Sequence, residues 1–155
     1  MVSAAAVVST VVDPELRVLT IADLGIVRDV AEDEQGRVTV TITPTYSGCP
    51  AMDVIRADIR KALETAGYPE STVVTRLDPA WTTDMISADG KAKLAAAGIA
   101  PPSTVVSLGM PGLAVTCPRC GSADTEEVSR FGSTACKSLR RCRACREPFD
   151  HVKPL

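Results

Sequence analysis

Histidine is almost absent from this chain of 155 residues, in which His151 is the only one. Di-iron oxygenase sites take several inward carboxylates and usually two Glu-x-x-His pairs, so one histidine excludes such a site here. The sequence also lacks the Gly-x-Ser-x-Gly motif, which argues against a hydrolytic triad. It contains neither a Gly-x-Gly-x-x-Gly motif nor a Cys-x4-Cys-x2-Cys run, so it does not code for a flavin, nicotinamide or ferredoxin-type redox subunit.

Long uninterrupted apolar segments are lacking as well. Residues 1–12 are apolar, but the basic residues that open a signal peptide are missing. Residues 94–118 carry no charge, yet a spanning helix would be broken at Gly98, Pro101, Pro102, Gly109, Pro111 and Gly112. We therefore expect a cytoplasmic protein that has no membrane partner and whose six cysteines stay reduced.

Charge of one sign is never in large excess. Residues 1–100 carry 9 Lys and Arg against 14 Asp and Glu, and residues 101–155 carry 8 against 5. Neither part has the basic excess that is typical of nucleic-acid binders, so no nucleic-acid partner is expected.

The cysteines form the most informative pattern. Cys117 and Cys120 make one Cys-x-x-Cys pair, and Cys142 and Cys145 make a second pair after 21 intervening residues. Four thiolates with this spacing are typical of a tetrahedral zinc ribbon, in which each pair forms a tight knuckle. Disulfides or buried apolar cysteines are the alternatives, and iron or a small iron–sulfur cluster also accepts four thiolates.

A basic cluster surrounds the second cysteine pair. Its members are Lys137, Arg140, Arg141, Arg143 and Arg146. They would stabilise a tetrathiolate centre that carries about two negative charges, and a docking patch for an acidic protein is the alternative.

Periodicity predicts the rest of the architecture. Valine and isoleucine alternate with threonine over residues 38–43, and one helical face of residues 50–66 is apolar, with Met52, Ile55, Ile59, Leu63 and Ala66. Helices are expected at residues 4–12, 50–66 and 83–97, and strands at 26–30, 38–43 and 73–77, with the first two strands forming a hairpin. The order αββαβα predicts a small α+β sandwich over residues 1–100. A Pro- and Gly-rich linker is expected over 101–114 and the zinc ribbon over 115–155. A chain of this size buries about two-thirds of its unfolded surface, enough for one core and a metal-stapled appendage.

Cys49 is the most suggestive residue outside the ribbon. It precedes Pro50, which suits the first helical turn, so the helix dipole and unpaired N–H groups would favour the thiolate form. A small buried cysteine that fills space under the helix is the alternative. Asp13, Glu15 and Asp23 are candidate ligands or partners of this site, although carboxylates beside turns mostly act as caps.

Several ordered motifs carry a resemblance to known families. Asp13-Pro14-Glu15, Asp23-Leu24-Gly25 and the segment 43–50 with its Cys-Pro resemble the MIP18-like or SufT-like iron–sulfur assembly domain. The segment 78–86, joined to a ribbon that contains residues 131–137, resembles the PaaD family of the bacterial phenylacetyl-CoA 1,2-epoxidase system.

That resemblance implies an accessory subunit in phenylacetate catabolism. The oxygenase of that system is a separate di-iron subunit, and its electrons come from an iron–sulfur flavoprotein reductase. The implied role is iron–sulfur cluster assembly or insertion into the reductase, with Cys49 handling transient iron or a nascent cluster. Implied partners are the oxygenase and reductase subunits, and a homo-oligomer is left open.

Two other functions stay open at this point. The chain is alternatively a zinc-stabilised structural adaptor that holds the oxygenase subunits together. A thiol redox enzyme with Cys49 as nucleophile ranks last, because no second cysteine lies near it in sequence. Cys136, six residues before Cys142, is expected to be an auxiliary thiol or a small buried residue.

Overall fold

The computed structural model describes residues 2–102 and 114–154, which form two compact units, Met1–Gly90 and Lys91–Leu155. Of the predicted linker, 101–114, residues 103–113 lie outside the described residues. The predicted domain boundary at residue 100 stays a prediction, since the division into units falls at Gly90. Within the described ranges, no helix is long and apolar enough to span a membrane.

The first unit begins with a short helix, α1, which spans Ala4–Ser9. The side chain of Ser3 caps it by accepting a hydrogen bond from the Ala6 N–H at 3.3 Å. The helix ends before the predicted Val12 because the following residues pair elsewhere. Val11 accepts from the Ile21 N–H at 2.9 Å, and Val12 forms an isolated bridge with Thr20.

A three-stranded sheet carries the first unit. Strands β1 (Val27–Glu32) and β2 (Val38–Ile42) form the predicted antiparallel hairpin, and β3 (Ser71–Thr75) lies parallel to β2 on its other side. Strand β3 starts at Ser71, two residues before its predicted start at Val73. The alternation in β2 is confirmed, because Val38, Val40 and Ile42 are all buried.

Helix α2 (Ala51–Thr65) connects the parallel strands β2 and β3. Its predicted apolar face is confirmed, and each of these side chains contributes about 2 kcal/mol when it is removed from water. The buried residues of that face are Met52, Ile55, Ile59 and Leu63. The αββαβα order and the α+β class are therefore confirmed.

The segment after β3 is fixed by contacts with the Asp23-Leu24-Gly25 turn. The indole N–H of Trp81 donates to the carbonyl of Leu24 at 2.7 Å. Gly25 has φ +69°, and a Cβ there would overlap the Met85 carbonyl. Only glycine is compatible with this close approach, which joins the two motifs that carry the family resemblance.

The predicted single helix over residues 83–97 is wrong in its first part. A short 3-10 helix covers Thr83–Met85, and α3 covers Ala88–Ala96. Between them, the Ser87 N–H donates to the Asp23 carbonyl at 2.8 Å, which draws the backbone out of helical geometry. The Ser87 hydroxyl then accepts from the Gly90 N–H at 2.9 Å and starts α3.

The second unit contains an antiparallel sheet of three strands, β4 (Thr125–Ser129), β5 (Lys137–Cys142) and β6 (Pro148–Val152). Ala100 extends it, because its N–H donates to Asp150 and its carbonyl accepts from Val152. The strands enclose a small apolar cluster that comprises Ala100, Val115, Cys117, Cys142 and Phe149. A core this small supplies little stabilisation of its own.

Candidate functional site

The first cysteine knuckle is closed by two backbone hydrogen bonds. The Cys117 N–H donates to the Ser122 carbonyl at 2.9 Å, and the Gly121 N–H donates to the Cys117 carbonyl at 2.9 Å. Gly121 has φ +75°, in the left-handed region that glycine adopts without strain. This tight turn brings the sulfurs of Cys117 and Cys120 to the same side of the chain.

The second knuckle repeats this arrangement at the end of β5. The Cys142 N–H donates to the Glu147 carbonyl at 3.0 Å, as the Cys117 N–H does to Ser122 in the first knuckle. Arg146 follows the second cysteine pair and has φ 66°, the only non-glycine residue of the described chain with a positive φ. The Cys145 N–H points at the Cys142 sulfur, with 3.5 Å between them.

The four Sγ atoms lie within 4.8 Å of one another. The Cys117 and Cys145 sulfurs are 3.8 Å apart, and those of Cys120 and Cys142 are 3.6 Å apart. Sulfurs at the corners of a tetrahedron around zinc, each about 2.3 Å from it, are about 3.8 Å apart. The quartet therefore fits a zinc-sized ion that prefers soft thiolate ligands.

No cysteine of the chain forms a disulfide, so the disulfide alternative is wrong.

The Cys142 thiol has a lowered pKa. Its sulfur accepts hydrogen bonds, first from the Cys145 backbone N–H and then from the Cys120 side chain, and these lower its pKa to about 7. Cys142 is also fully buried. Metal ligation requires thiolates, and these hydrogen bonds favour the thiolate form of Cys142.

Two members of the predicted basic cluster lie inside the ribbon. The ammonium group of Lys137, whose side chain is 7% exposed, is 3.4 Å from Asp150. Arg140 is 16% exposed and lies 3.8 Å from Glu127, while its buried Nε has no hydrogen-bond partner in the described structure. These two residues are placed to stabilise the sheet, and they offer little surface to a docking protein.

The other members of the basic cluster are exposed but mostly paired. Arg141 and Arg143 both donate to the carboxylate of Glu126, the latter with Nη2 at 3.0 Å. The hydrogen bonds from Arg143 and then from Arg141 lower the pKa of Glu126. Arg146 makes no ion pair with any described residue. A docking role for the cluster stays a prediction, which now rests on Arg141, Arg143 and Arg146.

Cys49 lies in the loop that leads from β2 to α2, and it is partly exposed. Its N–H donates to the Tyr46 carbonyl at 3.3 Å, and its own carbonyl accepts from the Met52 N–H at 3.2 Å. Pro50 occupies the N-cap rather than the predicted first helical turn, so Cys49 lies one residue further from the helix. Gly48, with φ +82°, provides the sharp turn before it.

Two of the three candidate carboxylates, those of Asp13 and Asp23, organise turns. Asp13 is buried, and its Oδ1 accepts from the N–H groups of Glu15 and Leu16 at 2.9 and 2.6 Å. Burial outweighs these hydrogen bonds and raises the pKa of Asp13. Asp23 accepts from the Thr20 N–H at 3.0 Å and thereby caps its own turn. Glu15 is partly buried, and only its backbone N–H takes part in these bonds.

Cys49 and these carboxylates do not form a ready ligand cluster. Within the described residues, the ribbon quartet is the only group of three or more cysteine, histidine or carboxylate ligands close enough to share an ion. Cys136 is outside it, and its sulfur lies 3.0 Å from the Thr134 hydroxyl. Cys136 therefore does not belong to the ligand quartet, and its expected role as an auxiliary thiol or a small buried residue stays a prediction.

Two features of the structure were not predicted from the sequence. His151 lies buried opposite Ser138 on β5, with 3.3 Å between its Nδ1 and the serine Oγ. Arg28, Thr43 and Arg76 line a cavity at one edge of the first sheet. The alternation of residues in β6 could have predicted that His151 is buried. The cavity could not be predicted in this way, because its residues lie far apart in sequence.

Comparison with known proteins assigns both units. Residues 4–75 match the family model of an iron–sulfur cluster assembly protein, and residues 101–153 match that of the PaaD zinc beta ribbon domain. A crystal structure of a domain of unknown function, DUF59, from Bacillus anthracis superposes with a TM-score of 0.55 at 34% identity. The match covers 59% of this chain and 87% of that one.

Two curated relatives are informative. The "Fe-S protein maturation auxiliary factor YitW" of Bacillus subtilis (strain 168) is 41% identical over 85 residues, which are 54% of this chain and 82% of that protein. A protein of Escherichia coli (strain K12), named as a component of 1,2-phenylacetyl-CoA epoxidase, is 49% identical over 148 residues. That match covers 96% of this chain and 89% of the relative. The chain therefore belongs to the PaaD family of phenylacetyl-CoA epoxidase components, which join an iron–sulfur assembly domain to a zinc ribbon.

Proposed function

We propose that this protein is a maturation factor of a phenylacetyl-CoA epoxidase system, which passes iron or a nascent iron–sulfur cluster to the reductase subunit. The iron or cluster is its cargo, and Cys49 is the residue that holds it during transfer. The observation that carries the proposal is the position of Cys49 on an exposed turn before α2, within the region that matches iron–sulfur assembly proteins.

Zinc is the proposed occupant of the ribbon. The two short sulfur–sulfur distances match a tetrahedral zinc site, and all four ligands are thiolates. Four protein ligands leave no open position for a substrate or an activated water, so this zinc would have a structural role. The cysteines of residues 117–120 and 142–145 would be its complete shell, and the small ribbon core depends on it for folding.

Cys49 differs from the ribbon cysteines in the way that cargo transfer requires. One thiolate is a weak ligand set compared with four, so an ion or cluster held there can leave for a recipient with more cysteines. No preformed group of three ligands surrounds Cys49 in the described structure, which agrees with transient rather than resident binding. Cys49 also lies outside the strands, so its sulfur can contact a partner's ligand without unfolding the sheet.

The names of two relatives support the proposed partners. The E. coli relative is named as an epoxidase component and the B. subtilis relative as a maturation factor, which supports a recipient within the epoxidase system. The proposed recipient is the iron–sulfur reductase of that system. We propose that the ribbon recognises this recipient through its exposed arginines. The site of action would be the cytoplasm, where thiols stay reduced.

A cluster-transfer assay tests the proposal. The zinc-loaded chain is reconstituted with iron and sulfide under anaerobic conditions and mixed with reductase stripped of its cluster, and the reductase spectrum is followed. Cys49→Ala should lower the transfer rate at least tenfold, while Cys136→Ala, the matched control, should retain it. Transfer at the wild-type rate by Cys49→Ala would contradict the proposal.

A structural adaptor is the second candidate function, and one observation favours it. On the exposed face of the ribbon, Glu126 pairs with both Arg141 and Arg143 and so fixes the positions of these side chains. An adaptor needs an interaction surface that is fixed in this way. An adaptor would bring oxygenase subunits together in the presence of zinc but without iron or sulfide. It would do so equally well with Cys49→Ala, which separates it from the maturation factor.

A further inference from the structure

Phe131 is the one exposed aromatic side chain among the described residues. The structure buries Tyr68, Trp81 and Phe149 and partly buries Tyr46, whereas Phe131 is 71% exposed. Aromatic rings carry a large apolar surface, so a fold gains stability when it buries them. A single exposed apolar side chain is nevertheless common on protein surfaces, so the surroundings of Phe131 decide whether its exposure is meaningful.

Phe131 lies at the end of the ribbon that is opposite to the cysteine knuckles. In the pairing of β4 with β5, Thr125 lies opposite Cys142 beside the knuckles, and Ser129 lies at the far end, two residues before Phe131. A register shift at this end leaves Val128 without a partner on β5, and Val128 is also exposed. Two apolar side chains are therefore exposed at a part of the ribbon that the metal site does not use.

The backbone around Phe131 is fixed. The Ser129 hydroxyl accepts from the Phe131 N–H at 3.2 Å and donates to the Phe131 carbonyl at 3.0 Å. The Gly132 N–H then donates to the Lys137 carbonyl at 2.8 Å. A Cβ added to Gly132 would lie 3.0 Å from Asp150, so the segment packs closely against β6. An apolar side chain on an ordered segment loses less conformational entropy on binding than one on a mobile loop.

Two cations accompany the ring. The Lys153 ammonium group lies 4.8 Å from the centroid of the Phe131 ring and donates to the Arg130 carbonyl at 3.0 Å. Among the described residues, neither Lys153 nor the exposed Arg130 makes an ion pair. The Asp150 carboxylate of β6 is engaged instead by Lys137, 3.4 Å away. The segment with the exposed ring therefore carries two positive charges that the described part of the ribbon does not neutralise.

We infer that Phe131 anchors the ribbon to the recipient of the proposed maturation factor, in an apolar pocket whose rim carries carboxylates. The inference rests on the proposed function for the identity of this recipient. The ring fills the pocket, since aromatic side chains are enriched in the buried centre of interfaces. Arg130 and Lys153 pair with the rim, which selects this pocket against one with a basic rim.

A second copy of this chain fits the segment less well. In a symmetric dimer the same surface meets itself, so Phe131 would bring Arg130 and Lys153 of both copies together. Like charges placed against each other oppose such a contact. The charge of the segment thus favours an acidic partner over self-association.

The affinity of the zinc-loaded full chain for the cluster-free reductase tests this inference. Phe131→Ala should weaken binding about tenfold or more, because an anchor in a pocket contributes most to affinity. Leu77→Ala removes a side chain that is 63% exposed in the first unit, and as the matched control it should leave affinity unchanged. Arg130→Glu should weaken binding about fivefold at low salt and less at high salt. Zinc content and circular dichroism verify that each variant is folded.

Cluster transfer separates this inference from the proposed function. At saturating reductase, Phe131→Ala should transfer at the wild-type rate because Cys49 is intact, whereas Cys49→Ala should bind normally and fail to transfer. Wild-type affinity in Phe131→Ala, or an equal loss in Leu77→Ala, would overturn the docking inference alone. A wild-type chain that does not bind the reductase would overturn both. Sedimentation that shows a dimer of the wild type but not of Phe131→Ala would assign the ring to a contact between copies and would also overturn the inference.

Discussion

Gly121 and Arg146 occupy equivalent positions in the two cysteine knuckles, each directly after the second cysteine, and both have left-handed backbones with φ +75° and 66°. The conformation closes the turn that presents the sulfurs. Glycine adopts it without a steric cost, whereas a residue with a Cβ loses roughly 1 kcal/mol. The ribbon thus stores strain in its second knuckle that its first knuckle avoids.

This equivalence predicts opposite effects of two substitutions. Arg146→Gly should raise the stability of the ribbon by about 1 kcal/mol, because it removes the strain. Gly121→Ala should lower stability by a similar amount, since no atom lies within 4 Å of the added Cβ and only the backbone opposes it. Thermal unfolding of the zinc-loaded variants measures both. Destabilisation by Arg146→Gly would show that its side chain matters more than its backbone.

Loss of one ribbon ligand should unfold the second unit and leave the first intact. In Cys120→Ser, the three remaining thiolates bind zinc more weakly, and site formation supplies on the order of 10 kcal/mol in zinc peptides. Metal analysis and hydrogen exchange should show less bound zinc and lost protection of β4, β5 and β6. Cys136→Ser is the control and should keep its zinc. Full zinc content and a protected ribbon in Cys120→Ser would contradict the assignment.

Acid should destabilise the ribbon through His151. Burial and then the charge of Arg140 lower the pKa of His151 to about 4, while the unfolded residue titrates near 6.5. Between these values the unfolded chain binds more protons, so stability falls as pH drops from about 6.5 to about 4, by at most about 3 kcal/mol.

A paired variant isolates this effect from protonation of the zinc ligands. Ser138→Ala together with His151→Leu removes both hydrogen-bonding partners and the titration. The difference in unfolding free energy between wild type and this variant should change with pH in that window and stay constant above it. A pH-independent difference would show that His151 is not the titrating group.

Charge reversal at the exposed arginines tests recognition by the ribbon. Arg143→Glu with Arg146→Glu should weaken binding to the reductase and reduce its salt dependence, because exposed charges are screened within about 10 Å at about 0.1 M salt. Arg37→Glu, which removes an exposed pair with Asp33 in the first unit, is the control. Equal affinities for wild type and the double variant would leave these cations only the role of stabilising the ribbon.

The sequence predicted the features that depend on local patterns. The apolar face of α2, the alternation of β2 and the four sulfurs of the ribbon are encoded by spacing within one element or knuckle. The break before α3 was not predictable, because it depends on the carbonyl of Asp23, which is distant in sequence from Ser87. The burial of Lys137 likewise depends on Asp150, which a neighbouring strand supplies.

In the candidate site too, local patterns were predictable from the sequence and contacts between distant residues were not. Cys49 and the carboxylates of the family motifs were evident from the sequence, but the structure assigns Asp13 and Asp23 to turns through their backbone contacts. The cavity at Thr43 combines residues from three strand ends, and no window of sequence contains that information.

The iron–sulfur content of the reductase in cells that carry Cys49→Ala tests the central claim most directly. A soft thiolate suits cluster iron, whereas a di-iron site is built from oxygen and imidazole ligands, so the oxygenase should keep its iron. We predict a reductase deficient in its cluster beside a fully loaded oxygenase, with epoxidase turnover limited by electron supply. A reductase with a full cluster and normal turnover in that strain would contradict the proposed role of Cys49.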